Sequence, residues 1–333
     1  MADMKIGDET FNVEVEGPEK APVLMISNSL GSNLHMWDAQ IPALSKHFRV
    51  VRYDSRGHGA SAAPAGPYSL EQLGKDALAI LDALGVKKAH WMGLSKGGAV
   101  GQWLLLNAPD RIERAVLANT AAQFGSADTW NERLRIVREQ GMAGLVQAVI
   151  DRWFTKEFQA KAPEAIAKIK AAFEQTPAEG YAACMAALRD LDLREAIRNI
   201  KGQVLVIIGK HDPATPPEAG KAIADSIPGA REGTGLLRMR VELNLFINLR
   251  PVAVIPALAA ISPIKPEVLN RTDLMIVREL VGGLYVGTPR GIEISGGVRR
   301  GINTMSYTET EIERIARAAF ELARDRSGRV CSV

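Results

Sequence analysis

Trp91-Met92-Gly93-Leu94-Ser95-Lys96-Gly97-Gly98 is the stretch whose reading decides the rest of this 333-residue chain. Gly93, Ser95 and Gly97 have the G-x-S-x-G spacing of a nucleophile elbow, a strand-to-helix turn that lifts a serine hydroxyl clear of a sheet. Residues 86–91 predict a strand. Residues 99–106 predict a helix that stops near Pro109. So tight a turn needs positions nearly free of side chain two before and two after the serine. Gly98 and Gly101 then let the helix lie close to neighbouring strands. The alternative is a serine in a glycine-rich surface turn, and the flanking strand and helix favour the elbow. In that setting the helix directs the positive end of its dipole at any oxyanion formed on the serine.

Outward from the elbow, strand and helix patterns alternate. Residues 11–15, 23–27, 49–53 and 115–119 read as strands, and residues 42–46 as a short helix. Ser69 and Gln72 make a capping box before a helix whose face is Leu70, Leu73, Ala77, Leu81 and Leu84, and Gly85 is its left-handed stop. Asn28-Ser29-Leu30-Gly31-Ser32 is a loop placed where an oxyanion donor is needed, and Asp54-Ser55-Arg56-Gly57-His58-Gly59 is a tight glycine turn. This alternation predicts an α/β fold with a mostly parallel sheet covered on both faces. Residues 121–199 read as helices only, an insertion that suits a cap over a site. A buried strand returns at 204–209, Lys210-His211-Asp212 follows at its carboxyl end, and 218–227 is one more helix.

Composition removes several classes of function. A net charge of +3 with no basic, aromatic-interleaved stripe argues against nucleic acid. No apolar run reaches the roughly 18 residues of a membrane span. Cys184 and Cys331 stand far apart behind a polar N-terminus, which predicts a reducing, cytoplasmic setting without disulfides. All five histidines and all five tryptophans precede residue 212. That shift suggests two segments of different origin.

Residues 27–37 (SNSLGSNLHMW), 53–61 (YDSRGHGAS), 93–98 (GLSKGG), 117–121 (LANTA), 181–190 (YAACMAALRD) and 209–212 (GKHD) resemble the α/β hydrolases. Within them they are similar to the 3-oxoadipate enol-lactonases. The resemblance covers residues 1–230. It implies a hydrolase core from 1–120 and 200–230, a helical cap from 121–199, and hydrolysis of a small enol-lactone by acyl transfer, without metal or organic cofactor. It implies Ser95 as nucleophile, the N–H groups of Leu30 and Lys96 as oxyanion donors, and Asp212 as the group that orients the base. The implied substrate also carries a carboxylate, for which Arg133 beside Trp130 is the candidate cation. A solvated helix face is the other reading of that arginine. Family order requires a histidine after Asp212, and this sequence has none. His211 precedes the aspartate and is expected to point away. His58 is expected to be a structural hydrogen-bonder. His90 lies in the strand that leads to the elbow, and His35, which follows the oxyanion loop, is the remaining candidate base. Impaired lactone hydrolysis is therefore the expected activity.

From residue 234 onward the chain resembles 3-isopropylmalate dehydrogenase instead, on residues 235–252 (GLLRMRVELNLFINLRPV), 277–285 (VRELVGGLY) and 303–307 (NTMSY). Arg240, Arg250 and Arg278 match that family's malate-carboxylate arginines and Tyr285 its tyrosine. Its lysine, metal-binding aspartates and nucleotide-binding segment have no counterpart here, so these four residues read as vestigial. The segment is expected to form a helix, strands near 251–256 and 274–278, an irregular arm, and a last helix. That helix should be capped by Thr308 and Glu311, with Ile312, Ile315, Ala319, Phe320 and Ala323 as a buried stripe. It should leave apolar surface exposed, or borrow a place at a hydrolase sheet edge lacking its last strand. Two further readings stay open: a non-catalytic chimera that binds lactone or dicarboxylate, and isopropylmalate oxidation.

Overall fold

A computed structural model describes residues 2–233, 247–253, 273–279, 283, 289–295 and 298–332. The chain divides into two compact units, Met1–Thr234 and Gly235–Val333.

The first unit is built on one eight-stranded sheet: β1 (Ala2–Ile6), β2 (Glu9–Glu16), β3 (Val23–Ser27), β4 (Arg49–Tyr53), β5 (Ala89–Leu94), β6 (Ile112–Ala118), β7 (Gln203–Ile207) and β8 (Arg231–Gly233). Their spatial order is β1-β2-β4-β3-β5-β6-β7-β8. β1 and β2 run antiparallel at one edge, and every pairing from β4 to β8 is parallel. Met25, Ile26, Val50, Val51, Trp91 and Val206 are buried on these strands, the near-continuous apolar character that parallel strands need when covered on both sides. Besides the short α1 (Ile41–Leu44), the core holds α2 (Leu70–Ala83), α3 (Lys96–Asn107) and α9 (Pro217–Ser226). Ser69 caps α2 by accepting from the Gln72 N–H, Leu70, Leu73, Ala77 and Leu81 are buried, and Gly85 ends it at φ +68°. Between β6 and β7 come five helices: α4 (Ala127–Gln140), α5 (Ala143–Trp153), α6 (Lys156–Lys161), α7 (Pro163–Glu174) and α8 (Ala178–Arg189). They leave the sheet after its fourth parallel strand in sequence.

One expectation about this unit is corrected. The sheet edge next to β7 is not vacant, because Arg231, Glu232 and Gly233 pair with Leu205, Val206 and Ile207. Gly229, at φ +78°, turns the chain after α9, and the Ala230 N–H donates to the Ile227 carbonyl. The chain thus returns alongside β7, whose open backbone groups are satisfied by any extended segment. β8 therefore forms although the resemblance ends near residue 230.

In the second unit β9 (Ile247–Ala253) pairs antiparallel with β10 (Asp273–Glu279). β11 (Arg290–Ser295) and β12 (Val298–Asn303) form an antiparallel hairpin, and α10 (Glu309–Arg324) follows. The arm expected to be irregular is thus a regular ladder. Gly296-Gly297 between two extended runs is the sequence signal for it. The capping box is complete: the Thr308 N–H donates to Glu311 Oε2 at 2.7 Å and the Glu311 N–H to Thr308 Oγ1 at 3.3 Å. The buried stripe is corrected, since Ile312 is 56% and Phe320 60% exposed and no residue of α10 is buried. A two-stranded ladder is too narrow to cover an apolar stripe of that width. Arg314 instead makes a double hydrogen bond to Glu279 of β10, at 3.0 and 2.9 Å. The helix expected before β9, and the stretch expected to extend it to 256, lie outside the described residues.

Candidate active site

Ser95 sits between β5 and α3 at φ +53° and ψ −110°, a backbone that L-residues hold only under constraint. Three bonds supply that constraint. The Ser95 N–H donates to the Ala118 carbonyl at 2.9 Å. The Ser95 carbonyl accepts from the Ala99 N–H at 3.0 Å and from Thr120 Oγ1 at 2.8 Å. The glycine requirement is steric on both sides: a Cβ at Gly93 would meet the Gly97 carbonyl oxygen at 2.1 Å, and one at Gly97 the Ser27 carbonyl oxygen at 2.3 Å. Ser95 is partly exposed, and none of the hydrogen bonds among the described residues uses its hydroxyl.

The loop after β3 runs against the start of α3. The Gly97 N–H donates to the Asn28 carbonyl at 3.1 Å, while the Asn28 side chain donates to the Tyr53 carbonyl at 2.8 Å and accepts from Trp37 Nε1 at 2.9 Å. Gly31 is left-handed at φ +76°, and its N–H donates to His58 Nε2 at 2.9 Å. Between these anchors the Leu30 N–H is used by none of the hydrogen bonds among the described residues. Lys96 is the first residue of α3, so its N–H is one of the four a helix leaves without an internal acceptor. The Lys96 side chain is fully buried, with Nζ unpartnered among the described residues. Burial pulls its pKa below the ordinary lysine value, against the opposing pull of Cys184, Asp54 and Asp76.

Asp212 follows β7, and Asn119, at φ +42° just after β6, spans the gap toward it. The carboxylate accepts from Asn119 Nδ2 (2.6 Å), the Ala214 N–H (2.8 Å), the Thr215 N–H (3.0 Å) and Thr215 Oγ1 (2.7 Å). Its two oxygens thus have four donors, and none is a histidine. Sequence reasoning missed Asn119; an asparagine right after a buried strand, a residue tolerant of the left-handed region, was its signal.

Each imidazole is engaged or placed elsewhere. His35 is exposed and lies 3.4 Å from the Asp38 carboxylate; His47 and His211 are exposed. His90, at the far end of β5, packs edge-on against Phe48 at 5.7 Å. It lies five residue steps from Ser95, about 17 Å at ~3.3 Å per residue. His58 is fully buried with both ring nitrogens occupied, Nε2 by Gly31 and Nδ1 by the Arg56 carbonyl at 3.3 Å. Burial, with Lys96 nearby, holds its pKa well below the usual histidine range.

From the inserted helices, Trp130 is buried and donates Nε1 to the Phe124 carbonyl at 2.7 Å. The Arg133 guanidinium lies over its ring at 5.2 Å and donates to the Tyr181 hydroxyl at 2.7 Å. Arg133 is therefore not on a purely solvated face. Tyr181 and Phe173 close on the loop after β3: a Cβ at Gly31 would meet them at 2.9 and 2.5 Å. Arg152 is a further half-buried cation that the sequence did not single out. Burial and the like charge of Arg133 lower its pKa, while Tyr181 and Asp212 oppose the shift.

In the second unit, Arg240 and Tyr285 lie outside the described residues, as does the Arg250 side chain. In the backbone register of the ladder Arg250 pairs with Ile276 and Arg278 with Asn248. The dehydrogenase resemblance implies a nicotinamide dinucleotide and a divalent metal. Among the described residues no group of three or more His, Cys, Asp or Glu that could hold a metal ion gathers.

Comparisons with known proteins follow the same division. The family profile described as alpha/beta hydrolase fold matches residues 22–234, and that of isocitrate/isopropylmalate dehydrogenase matches residues 195–333. Where the two overlap, β7, α9 and β8 belong to the eight-stranded unit. The chain is 42% identical to 3-oxoadipate enol-lactonase 2 of Acinetobacter baylyi over 220 residues, 66% of this chain and 82% of that protein. It is 54% identical to the 3-isopropylmalate dehydrogenase of Prochlorococcus marinus over 110 residues, 33% of this chain and 31% of that protein. It thus spans about a third of the dehydrogenases it resembles. The crystal structure of the enol-lactonase from Burkholderia xenovorans superposes with a TM-score of 0.68 at 43% identity, covering 69% of this chain and 90% of that one. With a family profile matched over most of its length, the chain belongs to the α/β-hydrolase family.

Proposed function

We propose that this chain is a serine ester hydrolase of the enol-lactone-cleaving kind whose turnover is held down by the lack of a general base. Ser95 Oγ attacks the lactone carbonyl. The N–H groups of Leu30 and Lys96, at the positive end of α3, stabilise the oxyanion. Ring opening expels the enolate oxygen, which takes up the Ser95 proton through solvent, and leaves an acyl-enzyme on Ser95 that water then hydrolyses. Arg133, steadied by Trp130 and Tyr181, holds the carboxylate of the substrate, as guanidinium forks do. The proton of Ser95 has no imidazole to receive it, so the hydroxyl attacks as a weak nucleophile. The observation that carries this reading is the Asp212 carboxylate, whose four donors include no histidine.

Losing the triad histidine of a serine hydrolase costs on the order of 10⁶ in kcat, and oxyanion stabilisation and binding account for what remains. Replacing everything after Gly233 with a hydrolase tail that carries a histidine should recover most of that factor, and Ser95→Ala should then abolish it. A grafted chain that folds and stays as slow as the parent contradicts the proposal. The pairing of Arg133 with half-buried Arg152 also favours a second reading, a protein that binds lactones or dicarboxylates without turning them over. Saturable adipate binding with no Ser95-dependent ester cleavage would select it.

A further inference from the structure

We infer that His58 is a positioning residue for the oxyanion loop, pinning Gly31 so that the Leu30 N–H faces the acyl oxygen on Ser95. The inference rests on the proposed role of Leu30 as an oxyanion donor. Its basis is the 2.9 Å hydrogen bond from the Gly31 N–H to His58 Nε2, with the ring fully buried. An imidazole accepts there only when neutral and protonated on Nδ1. Nδ1 lies 3.3 Å from the Arg56 carbonyl and 3.8 Å from Cys184 Sγ, and the carbonyl takes the proton, which fixes the tautomer. The low pKa that burial imposes agrees with a ring that stays neutral.

The loop has three anchors around Leu30, and one of them, Ser32 Oγ, donates at 2.9 Å to the Ser29 carbonyl in the same peptide plane as the Leu30 N–H. On one side Asn28 is tied to Gly97, Tyr53 and Trp37. On the other, Gly31 is held in a left-handed conformation, with Tyr181 and Phe173 leaving no room for a Cβ. Packing alone fixes where Gly31 sits; the bond to His58 fixes which way its peptide plane faces. Without that acceptor, a buried N–H is left unsatisfied, and the Leu30–Gly31 peptide rotates to find another partner. Movement at Gly31 carries with it the next residue, Ser32, whose hydroxyl holds the Ser29–Leu30 peptide, and so displaces the Leu30 N–H. In a chain with no base, oxyanion stabilisation is the main chemical assistance left to Ser95, so its disturbance shows directly in the residual rate.

The test uses the full-length protein and three variants: His58→Leu, His58→Gln and His58→Asn. Two quantities are measured: hydrogen exchange across residues 28–34, and the rate of Ser95 acylation by 4-nitrophenyl acetate, with Ser95→Ala as the blank. The glutamine amide oxygen reaches the position of Nε2, whereas the asparagine amide stops near that of Nδ1. His58→Leu and His58→Asn should lose Gly31 protection and acylate about 10²-fold more slowly, the usual cost of one misplaced oxyanion donor. His58→Gln should keep the protection and stay within about threefold of the parent. A folded His58→Leu with parental exchange and rate overturns the inference. If His58→Leu does not fold, equal behaviour of the Gln and Asn variants overturns it instead. Should the parent react no faster than Ser95→Ala, the ester-hydrolase reading fails, and with it the catalytic meaning assigned to His58, while Gly31 exchange still reports whether the bond holds the loop.

Discussion

Lys96 does two unrelated things at one position. Its N–H belongs to the start of α3, while its ammonium is buried without a partner, an arrangement that desolvation makes costly. Lys96→Met keeps the backbone and the side-chain length and removes the charge. It should raise unfolding stability by about 1–3 kcal/mol, read from urea midpoints at constant m, in line with other replacements of buried charges. Asp212 gives a sharper contrast. In a working triad, Asp→Asn costs roughly 10⁴ in kcat because it spoils the histidine tautomer. Here no histidine depends on it, so Asp212→Asn should change residual acylation by less than about tenfold. It should still lower stability by about 1–3 kcal/mol, since an amide NH₂ would face donors from Asn119 or Thr215. His58 sets a pH dependence whose sign follows from its lowered pKa. Above about pH 6.5 both folded and unfolded imidazoles are neutral, and the group adds no slope. Below that, the unfolded chain takes up a proton that folded His58 refuses, so stability falls by up to about 1.4 kcal/mol per pH unit until the folded pKa is reached. His90, also lowered by burial, acts in the same direction. Urea titrations between pH 7 and pH 5 should show this fall, and His58→Gln should reduce its slope.

At the scale of elements, the turn between β5 and α3 has no room for a Cβ at Gly93 or Gly97. A Cβ at Gly97 meets backbone, the Ser27 carbonyl, and not the far end of a flexible side chain. Gly97→Ala must push α3 away from β3 and should cost about 3 kcal/mol or more, or prevent folding; a midpoint within about 0.5 kcal/mol of the parent would contradict this. At the other extreme, Phe320 and Ile312 on α10 face solvent, and Phe320→Glu should leave stability within about 0.5 kcal/mol. What the sequence revealed follows the same gradient. The elbow, the α2 face with its Ser69 cap and Gly85 stop, and the Thr308–Glu311 capping box were legible because each is decided within a few neighbouring residues. β1 and β8 were not, since both are edge strands held by backbone pairing with β2 and β7, and backbone pairing leaves little mark on side chains. Asn119 and Arg152 escaped for a related reason: their surroundings come from segments distant in sequence. The α10 stripe misled because amphipathic periodicity reports what a helix is able to bury, not what lies beside it.

For the whole molecule, the division at Thr234–Gly235 separates a unit with a continuous core from one whose described residues form two two-stranded ladders and one helix. All five tryptophans belong to the first, so indole fluorescence reports on that unit alone while far-ultraviolet circular dichroism reports on both. The two urea transitions should not coincide, with the fluorescence transition the more stable; superimposable curves would contradict a separate second unit. The eight-stranded unit holds Ser95 at its elbow, the N–H groups of Leu30 and Lys96 that no hydrogen bond among the described residues uses, and an Asp212 carboxylate whose donors among the described residues include no histidine. The central claim is therefore kinetic. Steady-state turnover of 3-oxoadipate enol-lactone by the unmodified full-length chain tests it most directly. The account predicts a kcat orders of magnitude below 1 s⁻¹ that disappears in Ser95→Ala. A kcat in the ordinary enzyme range of roughly 1–10³ s⁻¹ would contradict it.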